Sequence, residues 1–276
     1  PPPPPPPPPP LFFPTHPPQP PILSGLVGSE MCIRDRSDGL SQQEAIDRIW
    51  LIDRDGLVTD DMEGLPDYQE PYAKPVEKTR HWAHTNRHIG LIETIRRVHP
   101  TILIGTSTDH DAFTQQVVEE MCREVERPLI MPLSNPTEKI EAMPADVIAW
   151  SKGKALVSVG IPVAPFHYEG TRYEIGQGNN ALLYPGLGLG VIVSGAERVS
   201  ARMIRAAAEA VASQVDPRPA GSSLLPAVEN LRASSATVAV VVVHAAIEEG
   251  IATKKPSNVV QAVQDAMWWP HYPPVG

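Results

Sequence analysis

Cysteine is nearly absent from this 276-residue chain, with Cys32 and Cys122 the only two. They give no disulfide framework and suit a reducing cytosol, and neither sits in a metal-ligand spacing. A cytoplasmic location is therefore expected. Basic residues are also in deficit, at 23 Lys and Arg against 32 Asp and Glu, for a formal net charge of −9 and a pI near 5.5. That balance argues against a nucleic-acid-binding surface. Long apolar runs are missing too. The nearest, residues 236–247, is interrupted by His244 and falls short of the roughly 20 residues that span a bilayer. No membrane partner is expected.

Proline, by contrast, is plentiful and unevenly placed. Of 33 prolines, 15 lie in the first 21 positions, ten of them consecutive. Such a tract adopts polyproline II or stays disordered and cannot build a core. It could serve as a ligand for an aromatic-lined groove on a partner. The segment SEMCIRDR (29–36) favours a duller origin, because MCIRDR resembles translated sequencing-adapter DNA. Residues 1–36 are therefore expected to be low-complexity and non-native, and are set apart before fold reasoning.

From residue 37 the pattern becomes that of a packed domain. Ser41 is a candidate N-cap, with Glu44 three residues on. The apolar run 49–52 reads as a strand ending in Asp53-Arg54-Asp55-Gly56. An acid at a strand end matches the ribose-binding acid of a dinucleotide fold, and a DG turn closing a hairpin is the alternative. A helix is expected over 87–98, then a strand over 101–104 ending in Gly105-Thr106-Ser107. Asp111 is expected to cap a helix over 112–126. The central stretch RPLIMPLSNPT (127–137) follows, an apolar strand that stops at Ser134-Asn135-Pro136. A helix over 144–152 and a strand over 155–160 complete the alternation. Strand–helix repeats of this size argue for a doubly wound parallel sheet, and ligands bind beyond the carboxyl ends of such strands.

Two glycine-rich segments come next, GQGNN (176–180) and YPGLGLG (184–190). The second is no dinucleotide fingerprint, since Val191 stands where the last glycine would be. It reads as a glycine-rich entry into a closely packed helix. Helices are expected over 198–214, 224–231 and 235–249; the valine-rich 238–243 favours a strand by propensity alone. His81, His84 and His88 could share a helix face but read as a solvated one. The cluster around His110 is explained by capping from Asp109 or Asp111, and Cys122 as a small buried hydrophobe. Trp268 and Trp269 suit either a subunit interface or a cover over the domain's own helices.

From about residue 40 to 275 the chain resembles the malic enzymes, in their NAD-binding half. The resemblance is carried by RIWLIDRDGL (48–57), PTILIGTS (100–107), RPLIMPLSNPTEKIEA (127–142), GQGNNALLYPGLGLG (176–190) and MWWPHYPP (267–274). It implies a Rossmann-like doubly wound parallel sheet with extra C-terminal helices. It also implies oxidative decarboxylation of L-malate to pyruvate and CO2 with NAD and Mg2+ or Mn2+, by a homo-oligomer (dimer or tetramer). Malolactic enzymes, which make lactate, share these motifs. By resemblance, Asp53 matches the ribose-binding acid, with Arg54 beside it. Thr106, Ser107 and Ser134 match the cofactor-lining loops, and Asn135 the nicotinamide and substrate end. Asn180 matches the residue that binds the malate carboxylate, with Asn179 next to it.

Departures from the family pattern set further expectations. The family's acid/base Tyr and Lys and its acidic metal ligands find no counterpart, and Gly25, Gly28 and Gly39 do not make the G-x-G-x-x-G turn. The domain 37–276 is thus expected to be incomplete at its N-terminus, to lack the first strand of the sheet, and to be inactive alone. Asp53 would repel a 2′-phosphate, and Gln69 occupies a position where NADP-preferring relatives resemble one another in carrying Lys. NAD is expected over NADP.

Overall fold

The computed structural model describes residues 39–82 and 88–268. The proline tract, Cys32, His84 and Trp269 lie outside the described residues. A four-stranded parallel sheet is its centre: β3 (Ile102–Gly105), β4 (Leu129–Pro132), β5 (Leu156–Val159) and β8 (Gly176–Gln177) pair in the order β3-β4-β5-β8. Helix α3 (Leu91–Val98) leads into β3. α4 (Gln115–Glu124) links β3 to β4, and α5 (Pro144–Trp150) links β4 to β5. Ile130, Val118, Ile140, Val147 and Val159 are fully buried between sheet and helices. This is the expected α/β alternation, and it places four strand ends on one rim.

Ahead of the sheet lies a short helix α1 (Gln42–Asp47) whose start is a capping box. Glu44 N–H donates to the Ser41 hydroxyl, and the Glu44 carboxylate accepts from Ser41 N–H. Residues 49–52 do not form a strand of the parallel sheet. Instead β1 (Ile52–Asp53) pairs antiparallel with β2 (Gly56–Leu57) around Arg54-Asp55, so the hairpin alternative prevails. Gly56 has φ +96°, which the turn requires and only glycine adopts freely. Leu57 N–H donates to Ile89 O, which draws Ile89 to the hairpin and delays the expected 87–98 helix until Leu91. Further on, α2 (Val76–Thr79) follows Lys74. Burial lowers the pKa of that ammonium, which donates to the Ile46 and Asp47 carbonyls at the end of α1 and lies 4.8 Å from the Trp50 ring centroid.

Two other boundaries moved for local reasons. Asp111 does not cap α4, because it has φ +60°; Thr114 does, its hydroxyl accepting from Val117 N–H. The expected 224–231 helix is absent: Pro226 carries no N–H, Ala227 is extended, and only a 3-10 turn at Val228–Asn230 precedes the next helix. A hairpin of β6 (Phe166–Tyr168) and β7 (Thr171–Tyr173), turning at Glu169-Gly170, was not anticipated.

The remaining chain is helical: α6 (Tyr184–Ser194), α7 (Ala201–Ala212), α8 (Leu231–Glu248) and α9 (Val259–Ala266). The valine run is helical because it is buried on most sides. Val238, Ala239, Val242, Val243 and Ala246 in α8 are all fully enclosed, with α6, α7 and α9 packed around them. α8 is long and apolar enough to cross a membrane by length and composition, and its buried side packs against α6, α7 and α9. The glycine-rich entry is also as expected. A Cβ on Gly186 would stand 2.5 Å from Val238 Cβ, and one on Gly190 would stand 2.5 Å from Val242 Cγ1. α6 and α8 therefore touch backbone to side chain. Trp268 is 73% exposed, and its carbonyl accepts a hydrogen bond from Arg232 of α8.

Gly190→Ala should destabilise the fold by about 1–3 kcal/mol through overpacking against α8. Gly188, in the same helix but facing open space, should instead gain up to about 1 kcal/mol on conversion to Ala. Urea unfolding of the two variants checks this, and equal effects would refute the close contact.

Candidate functional site

The carboxyl ends of β3, β4, β5 and β8 form a common rim, and most of the expected site residues stand there. Thr106 and Ser107 follow β3, Ser134 and Asn135 follow β4, and Asn179 and Asn180 follow β8. Short backbone bonds hold these exits together: Leu133 N–H donates to Gly105 O, Gly160 N–H to Pro132 O, and Gly178 N–H to Val159 O. Gly160 is required by this closeness, since a Cβ there would lie 2.1 Å from Leu133 O and 2.8 Å from Asn135 Nδ2. Glycine at 160 thus lets the exits of β4 and β5 pack backbone to backbone.

Beneath the first two loops lies a residue to which the sequence reading gave no role. Glu141, fully buried, accepts from Ser107 N–H at 2.8 Å and the Ser107 hydroxyl at 2.9 Å. It also accepts from Ser134 N–H at 3.2 Å and from the Ser134 hydroxyl. Thr108 N–H donates to the Ser134 hydroxyl and Asp109 N–H to that of Ser107. One carboxylate thus ties the β3 loop to the β4 loop. The only sequence signal is a charged residue inside the otherwise apolar run Ile140–Met143, and no periodicity argument assigns it a role.

The asparagines are arranged differently. Asn135 is exposed, its amide donating to Leu133 O at 3.3 Å and otherwise open to solvent. Asn179 is committed to structure: its side-chain oxygen accepts from Ala181 N–H and caps the 3-10 turn Asn180–Leu182. Asn180 opens that turn with its side chain exposed. Asn135 and Asn180 are therefore the two amides on the rim free to meet a ligand.

Asp53 and Arg54 belong to the separate β1–β2 hairpin. Asp53 accepts from Gln69 Nε2 at 2.8 Å and from Arg54 N–H at 2.7 Å, while the Arg54 side chain is exposed beside Asp55. Among the described residues, no hydrogen bond joins this hairpin to the rim loops. His81 accepts from Trp82 Nε1 and His88 Nδ1 lies 3.1 Å from Asp55 O, so these two histidines are engaged apart. His110 Nδ1 lies 3.1 Å from Ile140 O, and the helix beyond it is capped by Thr114 rather than by Asp109 or Asp111. Cys122 is half-buried against the sheet helices, and burial pushes its thiol pKa up, as for an inert hydrophobe. A cavity of about 140 Å³ sits at the opposite rim, near Arg127, Gly153 and Gly221, and holds none of the expected site residues.

The rim suits one end of a dinucleotide: it lies at the carboxyl ends of parallel strands, and two neutral amides can orient a ligand without adding charge. A metal is a different matter. Among the described residues, no three of His, Cys, Asp and Glu converge as ligands.

A parallel sheet with helices between its strands and polar residues at its carboxyl ends is the architecture of the doubly wound α/β proteins, among which dinucleotide-binding domains are common. The family model "Malic enzyme, NAD binding domain" matches residues 27–247, and the chain belongs to that family. It is 48% identical over 240 residues to "NAD-dependent malic enzyme 3" of Bacillus subtilis (86% of this chain, 42% of the relative). It is 50% identical over 244 residues to a "Putative malate oxidoreductase [NAD]" of Mycobacterium tuberculosis (87% and 44%). A "Malolactic enzyme" of Lactococcus lactis is 43% identical over 250 residues (91% and 45%). The chain thus spans less than half the length of these curated relatives. Among solved structures, a malic enzyme from Entamoeba histolytica matches with a TM-score of 0.60 at 18% identity, over 88% of this chain and 50% of that one. Such a likeness shows the Rossmann-like fold.

Gly105 tests the tie between the loops, because a Cβ there would stand 2.6 Å from Glu141 Cδ. Gly105→Ala should cost about 1–3 kcal/mol and speed amide exchange at Ser107, Thr108 and Ser134 by hydrogen-exchange mass spectrometry. Unchanged exchange would show that the loops hold without the carboxylate.

Proposed function

We propose that this chain supplies the dinucleotide- and malate-facing part of an NAD-dependent malic enzyme, which converts L-malate and NAD to pyruvate, CO2 and NADH. The observation that carries the reading is the pair of exposed amides, Asn135 and Asn180, on the carboxyl rim of the parallel sheet, in a chain of this family. Bound NAD would accept the hydride from the carbinol carbon of malate. Asn180 would hold a malate carboxylate by hydrogen bonds, and Asn135 would orient substrate against the nicotinamide. Thr106, Ser107 and Ser134 would shape the wall of the cofactor site. The reading includes Mg2+ or Mn2+ held by residues other than those described, a homo-oligomeric and cytoplasmic enzyme, and neither nucleic acid nor membrane as partner.

A second reading is supported by the Lactococcus lactis relative: malate to lactate and CO2, without net oxidation. Joining the chain to the remaining part of the Bacillus subtilis relative and supplying malate, Mn2+ and NAD separates the two. Pyruvate with stoichiometric NADH supports the first reading, and lactate without net NADH the second. Calorimetric titration of the chain alone with NAD tests the cofactor half, and lack of saturable binding would count against it.

NAD is read over NADP because the Asp53 carboxylate, held by Gln69, repels a 2′-phosphate. Gln69 is buried beside that carboxylate, so a Lys there would pair with it and cancel its charge. Gln69→Lys should cut the preference for NAD over NADP by about tenfold, roughly 1.4 kcal/mol. Titration with both dinucleotides measures it, and an unmoved ratio would exclude Asp53 as the discriminating group.

A further inference from the structure

The loops after β3 and β4 carry polar groups that phosphates could use, but those groups are already spent. Both N–H groups and both hydroxyls of Ser107 and Ser134 donate to Glu141. Each serine oxygen in turn accepts a backbone N–H, from Asp109 and from Thr108. With their lone pairs so engaged, the hydroxyl hydrogens point to the carboxylate, which collects four donors as an anion does.

Glu141 is fully buried, and among the described residues no Lys, Arg or His pairs with it. Dipoles solvate its charge and no cation cancels it. Water screens such a charge poorly, so its field reaches further than that of a surface carboxylate. Asp109, exposed on the same loop, adds the same sign. An anion-binding loop has the opposite design, with free N–H groups turned toward the ligand. The crevice between the β3 and β4 exits therefore disfavours phosphate and favours positive charge. NAD has one such group, its oxidised nicotinamide ring, and that charge vanishes on reduction.

We infer that Glu141 is a specificity-determining residue of the cofactor site, biasing the crevice toward the oxidised, cationic nicotinamide ring over the reduced, neutral one. The inference rests on reading the chain as dinucleotide-binding. Glu141 acts at a distance, through its field and the two serine loops.

Titration of the whole chain with NAD and with NADH, for the wild type, Glu141→Gln and Glu141→Asp, tests it, with melting temperatures as a check on folding. Glu141→Gln should weaken NAD about three- to tenfold more than NADH, whereas Glu141→Asp, which keeps the charge, should leave the ratio near that of the wild type. Equal losses of both ligands in Glu141→Gln would overturn the inference and leave a purely structural role. Should that variant not fold, Glu141→Asp decides: it keeps the charge, so a shift of preference toward NADH in that variant would be equally fatal. A wild type that binds neither nucleotide would instead overturn the dinucleotide reading itself.

Discussion

Burying a carboxylate is costly unless hydrogen bonds replace its water, and around Glu141 that constraint organises the rim. The side chain needs donors, and the two loops that leave adjacent strands provide four of them. In return the loops lose their freedom. Ser107 and Ser134 are held by the carboxylate, while Asn135, next to Ser134, stays exposed. Gly105 is part of the same constraint, because any side chain there would occupy the space of the carboxylate. A fold that delivered the strands but left Glu141 unsatisfied would have no fixed site at their ends.

The second constraint is steric and belongs to the helices. Gly186 and Gly190 lie one turn apart and let α6 press onto Val238 and Val242 of α8. Since α6 begins just after Asn180, its position sets where the GQGNN loop can lie. Close packing far from the rim thus decides the placement of an amide on it. The same packing explains why a valine-rich segment is helical, for side chains enclosed on most sides gain more from contact than strand propensity offers.

What could be read from the sequence follows from this division. The parallel sheet was legible, because buried strands with helices between them leave a strong pattern, as at β3, β4 and β5. The glycine-rich helix entry was legible for the same reason. The 49–52 run was not: four apolar residues before DRDG suit either a parallel strand or a hairpin, and only the pairing with Gly56 and Leu57 decides. The cap at Thr114 was missed because Asp111 is an equally good capping type, and its positive φ cannot be seen in sequence. Among the site residues, Asn135 and Asn180 stand exposed as motifs suggested, whereas Asn179 is absorbed by a turn. Glu141 was illegible because its importance lies in contacts 7 and 34 residues away in sequence.

Two acidic residues, Asp53 and Glu141, then have contrasting environments. Asp53 sits at a hairpin tip, with its carboxylate met by Gln69 and by the Arg54 N–H. Neither partner carries the charge needed to cancel it locally, so it can accept from ribose hydroxyls and repel a 2′-phosphate. Glu141 is enclosed and fully donated to, so it can touch no ligand and acts only by its field. On the proposed reading, one carboxylate would meet ribose hydroxyls by hydrogen bonds and the other would act by its charge. A dinucleotide places a hydroxyl-rich ribose at one end and a ring that gains or loses positive charge at the other. The difference in burial between the two acids matches that difference in chemistry, and it follows from nothing more than which of them can reach solvent.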